Sequence, residues 1–130
     1  MSLEAHAYSV RYLMLRLVAV LIAATVLTPA PVAADAAKDA KSQVDFGIAV
    51  AQRGLWKEAL YRWQRAVELN PGYAAAWNNL AIAYEHEGNF EEARKAYERA
   101  LSLDPKNVFI KQNYELFKEI NDRANRAPAR

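Results

Sequence analysis

No cysteine occurs among the 130 residues, so a disulfide framework, a thiol nucleophile and a thiolate metal site are all excluded. Histidine is almost as scarce, with only His6 and His86. Glu85 and Glu87 flank His86, but adjacent residues do not share a helical face, so they do not converge on one ion. A place near a helix end accounts for this histidine as an interaction with the helix dipole. Ser9, Ser42 and Ser102 lack the glycine-framed turn of a nucleophile elbow, and no glycine-rich phosphate loop is present. The adjacent carboxylates Glu91 and Glu92 fall in a first helical turn, where acidic residues are expected in any case. Charge of one sign is missing too. The net charge is +2, and the basic footprint of a nucleic-acid binder is absent. These absences predict a chain that is not an enzyme, holds no cofactor or metal and binds no nucleic acid.

Long hydrophobic runs are also missing, except for one. Leu17 to Leu27 (LVAVLIAATVL) is an unbroken apolar stretch preceded by Arg11 and Arg16 and ended by Thr28-Pro29. Small residues follow, with Val32-Ala33-Ala34 or Ala34-Asp35-Ala36 readable by a signal peptidase. A basic start, a short apolar centre and a small-residue exit describe a secretory signal. Crossing a bilayer takes about 20 apolar residues, so the run is short for an anchor. Counting from Tyr12 lengthens it at the cost of including Arg16, which keeps a single-pass anchor as the alternative. Met14 offers an alternative start. Residues 1–36 are therefore read as signal peptide or membrane anchor, and the rest as extracytoplasmic, periplasmic or secreted. Ala34 to Ser42, small and charged, reads as a linker or a frayed helical lead-in.

What the chain has in quantity is alanine and aromatic residues at helical spacing. Trp77, Leu80, Ala81 and Tyr84 follow an i, i+3, i+4, i+7 rhythm and line one helix face. Gly88 ends that helix in a left-handed conformation. Asn89 with Glu92 has the spacing of a capping box. The next helix buries Phe90, Ala93, Tyr97 and Ala100, and Glu91 with Lys95 has the favourable i, i+4 order of an ion pair. Asp104-Pro105 stops it. Shifting the frame back 34 residues returns the pattern: Ile48, Ala49, Gly54, Glu58, Ala59, Arg65, Ala66 and Pro71 match Ile82, Ala83, Gly88, Glu92, Ala93, Arg99, Ala100 and Pro105. Trp56 and Trp63 replace Phe90 and Tyr97, while Phe46 and Gly47 replace Leu80 and Ala81. These residues resemble two tetratricopeptide repeats. The second copy carries the whole signature; the first departs from it at Gln43 and Val50, where tryptophan and tyrosine stand in the second.

The resemblance implies an all-α fold, a right-handed α-solenoid of two helix-turn-helix repeats (40–73 and 74–107) with a fifth, capping helix (108–123). Helices are expected at about 41–53, 56–69, 74–87 and 90–103, the domain covers 37–123, and 124–130 is read as a disordered tail. Asn107 is a good N-cap for the fifth helix, which packs through Ile110, Tyr114 and Phe117. A second apolar row, Phe109, Leu116 and Ile120, lies about 100° away around that helix. In the family this row corresponds to the concave, ligand-facing side. Mapped onto the three first helices, the groove comprises Val44, Ile48, Asn78, Asn79, Ile82, Phe109, Gln112 and Leu116, an apolar strip with an amide patch. It suits an apolar segment of another protein or peptide, helical or extended. The expected function is a protein-binding adaptor of the cell envelope, touching the membrane only through the N-terminal segment. The alternative is a self-associating or membrane-tethered structural subunit whose apolar row is a homodimer seam. The family's clamp for C-terminal carboxylates uses lysine, asparagine and arginine at positions that here are Val44, Ile48, Asn79, Phe109 and Asn113, and only Asn79 matches.

Overall fold

The computed structural model describes residues 30–126, and every regular element in that span is an α-helix: α1 (Ala30–Ala51), α2 (Trp56–Leu69), α3 (Ala74–His86), α4 (Phe90–Leu103) and α5 (Val108–Arg126). The helix pairs turn at Gly54 and Gly88, with φ of 77° and 76°. A Cβ at either would touch nothing within 4 Å. Glycine is therefore required there by backbone conformation alone, as the residue that terminates a helix without a Cβ penalty. Asn107 caps α5 as its chemistry predicts, its Oδ1 accepting from the backbone N–H groups of Phe109 at 3.1 Å and Ile110 at 3.2 Å.

Alanine makes the close packing of the helices feasible. Ala59, Ala66, Ala93 and Ala100 are completely buried, at matching positions of α2 and α4. One core cluster joins Val44 of α1 with Ala59 and Trp63 of α2 and Leu80 of α3. A second joins Ala81 of α3 with Ala93 and Tyr97 of α4 and Phe117 of α5. Tyr97, Tyr114 and Phe117 pack ring against ring, with centroids 5.4 to 6.2 Å apart. Burying a side chain the size of Phe117 contributes about 2–3 kcal/mol. That is the reason α5 stays docked.

Several local expectations are corrected. The first helix begins at Ala30, eleven residues before its expected start; of the two readings of Ala34 to Ser42, linker or helical lead-in, the stretch is helical, as its alanine and lysine content favours by propensity. The fifth runs on to Arg126, past the boundary given to the tail. The Asn89 side chain makes no capping bond; the Asn89 carbonyl simply accepts the Ala93 N–H at 2.9 Å. Lys95 pairs with Glu92 at 2.9 Å rather than with Glu91. Phe90 is exposed rather than buried. The assignment of signal or anchor falls mostly on residues 1–29, outside the described span. Among the described residues no helix is long and apolar enough to cross a membrane.

Both ends of the stack carry polar residues among the described residues, at the first end beside the half-exposed Phe46. The α3 face that meets α2 carries Ala76, Trp77 and Leu80, and in the repeat frame α1 has Ser42, Gln43 and Phe46 instead. Leu80 is 3% exposed, Phe46 49%. The Arg62 guanidinium lies 4.5 Å over the Phe46 ring, donating to Glu58 at 2.7 Å and to Gln43 Oε1 at 3.4 Å. At the other end Glu115 occupies the position of Ala81 and pairs with Lys118 at 3.0 Å. Polar residues on the outer faces suit the terminal units of a repeat stack.

Candidate functional site

A row of large apolar side chains runs along the face shared by α1, α3 and α5. Ile48, Ile82 and Leu116 stand 34 residues apart in sequence and so take the same place on three successive first helices. A cavity of about 340 Å³ opens between α1 and α3, lined by Ile48, Ala51, Gln52, Trp56, Trp63, Asn79 and Ile82. Beyond it on α5, Phe109 is 78% exposed and Leu116 56% exposed, with Ile120 also open to solvent. These side chains repeat along one face of the stack.

Of the eight residues expected to line the groove, the structure exposes Ile48, Phe109, Gln112 and Leu116 and leaves Asn79 and Ile82 half-buried in the strip. Val44 does not belong there. It is 3% exposed inside the first core cluster, because one residue of shift turns a helix by about 100° and carries this position from the open face to the α2 side. Asn78 is likewise buried, at 9% exposure. Its Oδ1 accepts from Asn113 Nδ2 at 3.0 Å, and its Nδ2 donates to Asn79 Oδ1 at 3.4 Å. The amide patch is thus a linked chain across α3 and α5, with Asn79 at its groove end.

Sequence reasoning missed Trp56 as part of this face. Trp56 sits at a signature position and was assigned to the core, yet it forms one wall of the cavity. His86 stacks on it, with ring centroids 3.6 Å apart and planes 13° from parallel. The spacing from Trp56 to the end of α3 carried no sign of that contact. Gln52 also lines the cavity, and the bond from Asn113 to Asn78 is recognisable only once α5 is seen beside α3.

Two hydroxyls link neighbouring helices. Tyr97 donates to Glu85 Oε2 at 3.0 Å and Tyr114 to Glu98 Oε1 at 2.9 Å. Burial, followed by the Glu85 carboxylate, pushes the Tyr97 phenol well above its usual range. Tyr114 is raised in the same sense, again mainly by burial. Among the described residues no three histidine or carboxylate side chains converge as a metal site.

Comparison with known proteins agrees with this architecture. Residues 74–107 match the family described as tetratricopeptide repeat, and residues 47–88 match a family described as TPR repeat. An uncharacterized protein of Methanocaldococcus jannaschii is 37% identical over 67 residues, which cover 52% of this chain and 78% of that one. The chloroplastic tetratricopeptide repeat domain-containing protein PYG7 of Arabidopsis thaliana is 32% identical over 74 residues, 57% of this chain. The match spans only 25% of that relative's length. Among solved structures, the Arabidopsis OM64 TPR domain superposes with a TM-score of 0.63 at 23% identity, over 68% of this chain and 73% of the other. At that identity the likeness is one of fold.

Proposed function

Because the chain belongs to the tetratricopeptide repeat family, whose members generally mediate protein–protein interaction, we propose that it is a non-enzymatic binding adaptor of the cell envelope. It holds an apolar segment of a partner protein against the strip formed by Ile48, Asn79, Ile82, Phe109, Gln112 and Leu116. The observation that carries this reading is the row of open apolar side chains along one face: Ile48, Phe109, Leu116 and Ile120 are all exposed, and they flank the cavity lined by Asn79 and Ile82. A helix stack of this kind presents its side chains on rigid backbone, so binding costs the receptor little conformational freedom. The envelope assignment rests on the basic residues Arg11 and Arg16 ahead of the apolar run Leu17–Leu27.

The test is a photocrosslinking experiment in cells, with benzoylphenylalanine placed at Gln112 on the strip or at Lys95 on α4. The adaptor reading expects a protein adduct from Gln112, its loss when Phe109→Asp and Leu116→Asp are added, and none from Lys95. A Gln112 adduct that survives the double substitution overturns the groove. An adduct between two copies of this chain, retained in dilute purified protein, supports the self-associating alternative instead.

A further inference from the structure

The groove holds two cavities in succession, and they differ in chemistry. The first lies between α1 and α3 and is mostly apolar, with Ile48, Trp56, Trp63 and Ile82 in its wall. The second, of about 380 Å³, is lined by Ile82, Glu85 and His86, so Ile82 stands between the two. Counting 34 residues back, Glu85 and His86 take the places of Ala51 and Gln52, which line the first. Counting 34 forward, Glu119 takes the place of Glu85 and is paired with Arg123. Glu85 is half-buried and forms no ion pair with a described residue. Its Oε2 accepts from Tyr97 at 3.0 Å, which leaves Oε1 for a ligand. His86 lies with one face on the Trp56 ring, centroids 3.6 Å apart, and is exposed, so its other face is open. Here α3 ends, with Glu87 at its cap, and the end of a helix adds the negative pole of its dipole.

We propose that the second cavity is a cation subsite: the segment bound in the groove lays an arginine side chain on the open face of His86, its guanidinium paired with Glu85, while an apolar side chain fills the first cavity. This rests on the groove reading above and narrows it to one class of partner. A half-buried carboxylate without a cation of its own attracts one more strongly than it would in open water. A guanidinium is planar, so it can stack on a ring and donate in its own plane to a carboxylate at the same time, which an ammonium cannot do. The Tyr97 hydroxyl accounts for an acceptor at position 85, but glutamine would serve it equally. The charge is what Tyr97 leaves unexplained, and Ala51 at the matching position of the first repeat shows that the fold does not call for it.

The probe is a phage-displayed library of random nonapeptides selected on the full chain, with the selected peptides titrated by calorimetry. Selected sequences should carry arginine close to a large apolar residue. Replacing that arginine by citrulline, which keeps the shape and loses the charge, is expected to weaken binding about tenfold or more. Glu85→Gln still accepts from Tyr97; it should weaken the arginine peptide similarly and leave the citrulline peptide unchanged. His86→Ala should weaken the arginine peptide by a smaller factor, about threefold. A library that yields no binder, binders without arginine, or an arginine peptide indifferent to Glu85→Gln or to His86→Ala would overturn the subsite. The control is Ile48→Asn with Leu116→Asn, two exposed positions of the strip. If binding is unchanged in that protein, the groove itself is wrong; if binding is lost there but indifferent to Glu85→Gln, the groove stands and the subsite falls.

Discussion

Gly47 is glycine because Trp63 occupies the place its side chain would take. A Cβ built on Gly47 would lie 2.3 Å from the indole Nε1, and that nitrogen donates to the Val44 carbonyl at 3.2 Å. The second repeat solves the same packing problem with Ala81 against Tyr97, a larger residue facing a smaller ring. The two differences between the copies are therefore one compensated exchange. Gly47→Ala should force the indole off its acceptor and cost about 2–4 kcal/mol from overpacking and the lost bond. Adding Trp63→Tyr should recover more than 1 kcal/mol of that loss, since alanine also favours the helix. Urea unfolding of the wild type, both single variants and the double variant measures the coupling; strictly additive effects would contradict it.

The caps of α4 and α5 look alike in sequence and differ in structure. Asn107 Oδ1 accepts two backbone N–H groups and its Nδ2 donates to Asp104 at 2.9 Å, whereas the Asn89 side chain caps nothing. Asn107→Ala should cost about 1 kcal/mol and Asn89→Ala less than about half of that. Equal shifts in the unfolding midpoint would mean that the Asn107 bonds carry no stability.

How much of this was legible beforehand follows from which residues face other residues and which face water. The bounds of α2, α3 and α4 were readable because Gly54, Gly88, Pro71 and Pro105 are backbone requirements, and the register was readable because Ala59 and Ala93 mark close approach. The start of α1 was not, since Ala34 to Ser42 has helix propensity but no apolar period to announce it. Gln43 and Val50 looked like a weakened signature. In the structure Gln43 suits a terminal face: Trp77 packs beneath the preceding repeat and donates to the Pro71 carbonyl at 2.8 Å, while Gln43 has no preceding repeat and serves Arg62. In the groove, Ile48, Ile82 and Leu116 were found because the repeat period carries them together. Val44 was misplaced by one step around the helix, and the Asn113–Asn78 bond joins residues 35 apart, a contact no local pattern encodes.

The exposed strip should be cheap to change. Phe109 and Leu116 give up little buried area in the free protein, so Phe109→Asp with Leu116→Asp should alter stability by no more than about 1 kcal/mol while abolishing partner capture. Circular dichroism melts beside the crosslinking assay separate the two effects. A double variant that loses its helical signal would show that the row is core.

Tyr97 makes the fold sensitive to alkali, with a definite sign. Its hydroxyl is buried against Glu85, which raises the folded pKa above the model-peptide value of 10.0. Between those two values the folded state holds a proton that the unfolded state has released, so stability is complete below about pH 10 and falls as the pH rises beyond it. By pH 11 this one group accounts for a loss of about 1.4 kcal/mol. Tyr97→Phe gives up a hydrogen bond worth about 1 kcal/mol at neutral pH, but it should flatten the decline between pH 10 and 11. Urea midpoints for both proteins across that range decide the matter: parallel curves would place the alkaline loss on other groups, Tyr114 first among them.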